Sequence, residues 1–143
     1  EQIKEYLEGV TGKRVMKIIV IKNDLSHIYA INDALAGNEL VCMHADRFME
    51  GNKTMSAAFL GEKAKFPMGP FLLAAKFKVP VSFVFAMKES KMHYHFFASE
   101  IKEYSNADKQ SVMQEMLNDF VGEMEGKLKQ YPDQWFNYYN FWQ

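Results

Sequence analysis

A single cysteine, Cys42, is all the thiol chemistry the 143 residues hold. That excludes an internal disulfide framework and a cysteine-built zinc centre, and it fits a reducing compartment such as the cytoplasm. An excess of one charge is also missing. Seventeen Lys and Arg stand against 18 Asp and Glu, giving a formal net charge of -1. No basic field covers the whole molecule, which argues against a dedicated nucleic-acid binder. Long apolar runs are absent too: the longest, such as Val79–Met87, fall far short of the ~20 residues a membrane-spanning helix needs. The first stretch, EQIKEYLEGVTGKRV, has no apolar centre and does not read as a signal peptide.

What is present is apolar and aromatic. The chain is 48% hydrophobic, enough to bury a core and too much for a disordered segment. Aromatics make up 15% and there are 10 methionines; many lie in the last stretch, so the enrichment is more than core filling. The length suits one domain over 1–143. The first residue is Glu rather than Met, which raises the expectation of a piece cut from a longer protein.

Hydrophobic periodicity orders the elements. Residues 1–12 are polar and read as a helix. RVMKIIVI (14–21) is β-branched and reads as a buried strand. Asn23 or Asp24 can cap a helix over 25–36, with Ile28, Ile31, Ala34 and Leu35 on one stripe and Gly37-Asn38 as its stop. ELVCMHA (39–45) reads as a second buried strand, parallel to the first in a βαβ unit, with Cys42 as a small buried hydrophobe. Residues 46–66 are loop-rich, with an extended piece at MSAAFLG (55–61). Pro67 or Pro70 opens a helix to Phe77 with Leu72, Leu73 and Ala75 inward. After Pro80, VSFVFAMK and KMHYHFFAS form an antiparallel hairpin. Asn106 or Asp108 caps the longest helix, whose Val112, Met116, Phe120, Met124 and Leu128 form one face, and Pro132 ends it near Tyr131. The expected fold is α/β: a mostly parallel sheet flanked by helices, with a C-terminal antiparallel hairpin and long helix.

Six blocks in order resemble a known family. They are a helix ending at Leu35-Ala36-Gly37, a strand running into Asp46-Arg47, then Phe59-Leu60-Gly61, Pro67-Met68-Gly69-Pro70, Val79-Pro80-Val81 and the closing YPDQWF (131–136). Over roughly 23–142 the chain resembles the C-terminal half of the bacterial lipid A biosynthesis late acyltransferases, within the wider glycerophosphate-type acyltransferase group. The resemblance implies a glycerophosphate-acyltransferase-like fold. It implies transfer of a fatty acyl group from acyl carrier protein, or acyl-CoA, to a hydroxyl of a lipid A precursor or related lipid. It further implies work at the cytoplasmic face of the bacterial inner membrane through peripheral contact, with no nucleic acid and no cofactor. In the family a histidine with an acid five positions later acts as general base, lying upstream of all six blocks.

This sequence lacks that pair at that place. His27 is followed five residues on by Asn32, His44 by Met49 and His93 by Ala98; only His95 has an acid there, Glu100. In a strand, residues five apart point to opposite faces, which speaks against His95–Glu100 as a catalytic pair. The fragment is therefore expected to be soluble and inactive alone, with its dyad on upstream sequence. His44, Asp46 and Arg47 are the substrate-binding candidates, since the C-terminal ends of parallel strands are where open α/β sheets take ligands. Arg47 matches phosphate geometry, although a surface pair with Asp46 or Glu50 is an equal reading. His44 and Asp46 are two ligands at most, too few for a metal.

The Pro67–Pro70 turn can present a helix N-terminus to an anion or simply start a helix against packed backbone. The tail aromatics Trp135, Phe136, Tyr138, Tyr139, Phe141 and Trp142 leave three readings open: cover for the domain edge, a membrane-interface belt, or packing on further sequence. Two alternatives to the acyltransferase reading stand beside it. One is a small α/β domain that binds an anionic ligand at 44–47 without catalysis. The other is a small hydrolase or transferase using His95 and Glu100.

Overall fold

The computed structural model describes residues 17–21, 24–105, 108–136, 138 and 141–142. The chain divides into two compact units, 1–42 and 43–143. The expected helix over 1–12, the start of the first strand and the Asn23 cap lie outside the described residues.

Among the described residues of the first unit, helix α1 spans Ser26–Ala36. Its start is organised by Asp24, whose carboxylate accepts from the Ser26 amide at 2.9 Å and from the Ser26 hydroxyl. Those bonds hold the Asp24 carboxyl below its usual pKa. Ile31 and Ala34 are the buried positions of the expected stripe. Gly37 and Asn38 end the helix: Gly37 donates to the Asp33 carbonyl and Asn38 takes φ of 55°, which asparagine tolerates.

The second unit holds all the regular β-structure among the described residues. Strands β1 (Thr54–Phe59) and β2 (Glu62–Pro67) form one antiparallel hairpin, and β3 (Val84–Lys88) and β4 (Tyr94–Ala98) form another. Helix α2 covers Met68–Phe77 and α3 covers Lys109–Gln130, followed by a 3-10 turn at Pro132–Gln134. Helix α3 packs on β1 and α2. Its buried face carries Val112, Met116, Phe120 and Met124, as the four-residue spacing demands, and adds Met113, Leu117 and Val121. Asp108 caps it, accepting from the amides of Gln110 and Ser111 at 3.3 and 2.8 Å.

The core lies between the β1–β2 hairpin, α2 and α3. Phe59 and Phe66 are fully buried, and Met55, Ala57 and Ala64 complete the inward side of the hairpin. Its turn, Leu60-Gly61, takes φ of 53° and 90°. Two consecutive positive values match the twist of a tight hairpin, and the second is easy only for glycine. Gly69, by contrast, faces open space, so no close backbone packing fixes it.

The mostly parallel, glycerophosphate-acyltransferase-like sheet is overturned. Both sheets among the described residues are two-stranded and antiparallel. Residues 17–21 and 39–45 form no strand ladder. Their apolar side chains stand out: Ile18, Val20, Ile21 and Leu40 are all exposed, Leu40 at 97%. Composition alone does not make a strand of them. A parallel strand needs neighbours to bond and helices over both faces, whereas a hairpin closes locally. Cys42 is likewise exposed rather than buried. The remainder is an α/β unit built from local hairpins and helices.

Candidate functional site

The segment Met43–Arg47 runs beside β3 in the second unit, and the space between them is a groove of about 440 Å³. Its floor is apolar, with Phe83, Phe85, Met87, Phe120 and Met124, while His44, Asp46 and Arg47 line its rim. The three candidates therefore share one rim, but a segment outside the regular strands brings them there, not a strand end.

Arg47 is anchored at two points. Its Nε donates to Asp46 Oδ2 at 3.3 Å and its Nη2 donates to the Phe136 carbonyl at 3.3 Å. The side chain remains 62% exposed, against 28% for Asp46. Both sequence readings of Arg47 are thus realised at once. The pair with Asp46 exists, and it aims the guanidinium without enclosing it. An oriented, half-solvated guanidinium beside an apolar groove suits a phosphate attached to an apolar body. His44 is exposed.

The other wall is set by the tail. Tyr131 donates its amide to the Lys127 carbonyl, Pro132 starts the 3-10 turn, and Gln134 is delivered to the end of β3. There the Gln134 carboxamide bonds both backbone groups of Lys88: its Oε1 accepts from the amide at 2.6 Å and its Nε2 donates to the carbonyl at 2.8 Å. One side chain acts as a short stretch of neighbouring strand. Pattern reading did not single out Gln134. Its signal was membership of the YPDQWF block.

Three of the six tail aromatics cover the domain edge, and Tyr139 lies outside the described residues. Phe141 is buried, and Trp135, Phe141 and Trp142 all pack on Phe59, with ring centroids 5.3, 5.6 and 6.0 Å away. Trp142 Nε1 donates to the Phe59 carbonyl at 3.1 Å. Phe136 and Tyr138 stay exposed.

His95 and Glu100 are not brought together as a pair. His95 Nδ1 lies 3.1 Å from Glu89 Oε1, and its ring stacks on Phe97 at 4.1 Å. The carboxylate on the imidazole is Glu89, across the hairpin turn. Glu100 instead borders a second, open groove of about 800 Å³ beside Lys102, Tyr104 and Asp119. In that groove Lys102 Nζ meets Glu115 and Asp119 at 2.8 and 2.7 Å, and the Tyr104 hydroxyl donates to Asp119 at 2.8 Å. Burial, then the bond to Asp119, pushes the Tyr104 hydroxyl up. Burial also works to raise the Asp119 carboxyl, but the bonds from Lys102 and Tyr104 outweigh it and leave that group below its usual value. The charges there satisfy one another, which is the pattern of a structural network.

Among the described residues no group of three or more His, Cys, Asp or Glu could hold a metal ion. No helix among them is long and apolar enough to cross a membrane.

A comparison with curated proteins found no match. A family model does match: bacterial lipid A biosynthesis acyltransferase, over residues 13–143. The blocks that resembled this family thus fall inside one continuous match that takes in the groove, the Gln134 clamp and the aromatic tail, and the chain belongs to the bacterial lipid A biosynthesis acyltransferase family.

Proposed function

We propose that the chain is the C-terminal, acceptor-side part of an acyltransferase. It moves a fatty acyl group from acyl carrier protein to a hydroxyl of a lipid A precursor or related lipid. The acceptor hydroxyl attacks the thioester carbonyl, its proton passes to a histidine base, the ester forms and the carrier thiol leaves. The His–acid dyad lies on sequence upstream of this chain, and the whole protein works at the cytoplasmic face of the inner membrane by peripheral contact.

One observation carries this reading. The family match spans 13–143, and within it Arg47 presents an anchored, half-exposed guanidinium at the rim of an apolar groove. A phosphorylated lipid has that same pairing of anion and hydrocarbon. His44 borders the rim and Asp46 orients Arg47. The engagement of His95 by Glu89 supports placing the base elsewhere.

The test is acyl transfer from acyl carrier protein to a phosphorylated lipid A precursor, for this chain and for a version extended upstream in its gene. Transfer by the extended form alone is expected, with Arg47→Ala raising KM for the acceptor. Transfer by this chain, abolished by His95→Ala, would overturn the placement of the base. Acceptor binding with no transfer from either form would leave a binding domain.

A further inference from the structure

The register of the β3–β4 hairpin fixes where each backbone group of β3 points. Phe83 and Glu89 bond across to Ser99 and His93. In an antiparallel ladder such bonded positions alternate, so Phe85 and Met87 also bond β4. The amides and carbonyls of Val84, Ala86 and Lys88 therefore face the other way, along the free edge that borders the groove. At Lys88 both groups are taken by the Gln134 carboxamide. At Val84 and Ala86 the edge carries no hydrogen bond among the described residues. Met43–Ala45, on the far side of the groove, does not bond to it either.

This edge has a defined chemistry. Each free position offers one N–H and one C=O in a line, ready for a strand-like ligand. The floor beneath is apolar, so an unpaired ligand amide would be costly there and a paired one favoured. Gln134 demonstrates the fit, because a carboxamide is already seated one register step along.

We infer that the free edge of β3 at Val84 and Ala86 seats the pantetheine arm of the acyl donor. This rests on the acyltransferase reading above. The arm is linear and carries two amides joined by a β-alanyl unit. That unit stands where a strand residue would, one methylene longer. The pantoyl carbonyl accepts from the edge N–H, and the amide next to the thiol donates to the edge carbonyl of the same residue. The groove then holds the donor's thioester arm along β3 and the acceptor's phosphate at Arg47, which brings the two substrates into one space. Acyl carrier protein and CoA both carry this arm, so the edge recognises the shared moiety.

Proline is the substitution that isolates the edge. Ala86→Pro removes only the N–H that points away from β4, and edge positions tolerate proline. Binding of holo-acyl carrier protein, apo-acyl carrier protein and CoA to the full chain is followed by NMR. The holo form is expected to shift the Val84 and Ala86 amides and the apo form is not. Ala86→Pro or Val84→Pro should weaken holo binding ~10-fold, the effect of one lost hydrogen bond. Should the proline variants not fold, a pantetheine whose thiol-proximal amide is replaced by an ester supplies the same deletion from the ligand side, with the same ~10-fold loss expected. Equal binding of CoA would support the inference and place recognition in the arm alone; binding of the holo protein only would support it with added carrier contacts. Equal binding of holo and apo forms, or no loss with the prolines and the ester, overturns it. Arg47-dependent binding of a phosphorylated lipid without edge binding would overturn this inference and leave the acceptor reading standing. Edge binding without acceptor binding would do the reverse.

Discussion

The two hairpins of the second unit have the same topology and opposite finishes. Both are antiparallel, yet β1–β2 is sealed and β3–β4 is left open. On β1–β2 the inward side chains Phe59 and Phe66 are fully buried, and the tail folds over them. Even the end of β1 is tied, since Trp142 bonds the Phe59 carbonyl and the Leu60 amide donates to Glu125 Oε1 at 2.7 Å. On β3–β4 the inward Phe85 packs on Phe120 of α3, but the outward face shows Val84, Tyr94 and Phe96 at 54–69% exposure. Among the described residues its free edge is bonded only at Lys88. Sealed aromatic contacts hold the fold together, whereas an open edge beside an anchored arginine is a surface able to bind. The groove sits at the unsealed hairpin.

Substitutions should separate the two. Phe59→Ala empties a fully buried aromatic site and should cost ~3–5 kcal/mol, read from denaturant unfolding. Gln134→Ala frees both backbone groups of Lys88 and should cost ~1 kcal/mol. Faster hydrogen exchange at the Lys88 amide, with the β1–β2 amides unchanged, would place that loss at the open hairpin.

Asp108 gives a smaller, pH-dependent effect. The Ser111 hydroxyl, then the Ser111 amide, hold its carboxyl below the usual value. A lowered folded pKa contributes stability that is full above the unfolded value of about 3.9 and is lost as pH falls through the folded one. Asp108→Ala should therefore lower stability by a constant amount above about pH 4 and by progressively less as the pH falls, so that the two stability curves converge in acid and run parallel at alkaline pH. The smallest effect belongs to Phe96→Ala, which removes an exposed ring and should shift stability by no more than about 0.5 kcal/mol. A loss at Phe96 comparable to that at Phe59 would end the contrast between the hairpins.

Local features were legible in the sequence, and nonlocal ones were not. The long helix was readable because its apolar spacing and its Asp108 cap lie within one segment, and the β3–β4 hairpin because its turn separates two adjacent apolar runs. The β1–β2 hairpin was half read. MSAAF stands out as extended, but in EKAKFP the outward Lys63 and Lys65 hide the inward Ala64 and Phe66. Residues 17–21 and 39–45 misled because β-branched composition says nothing of a partner strand. The rim residues His44, Asp46 and Arg47 were named from sequence, though the strand expected to deliver them is absent. The Phe136 carbonyl that anchors Arg47 lies 89 residues away, beyond any spacing rule. Gln134 stood in the YPDQWF block, but its bonds to Lys88, 46 residues away, were beyond any spacing rule for the same reason.

The most direct test of the acceptor-side account is the affinity of the chain for a phosphorylated lipid A precursor, compared with its Arg47→Ala variant and with the dephosphorylated lipid. A charge-assisted contact at a half-exposed guanidinium predicts a loss of roughly tenfold on removing either the arginine or the phosphate, and little further loss on removing both. Equal affinity for all pairings would contradict it.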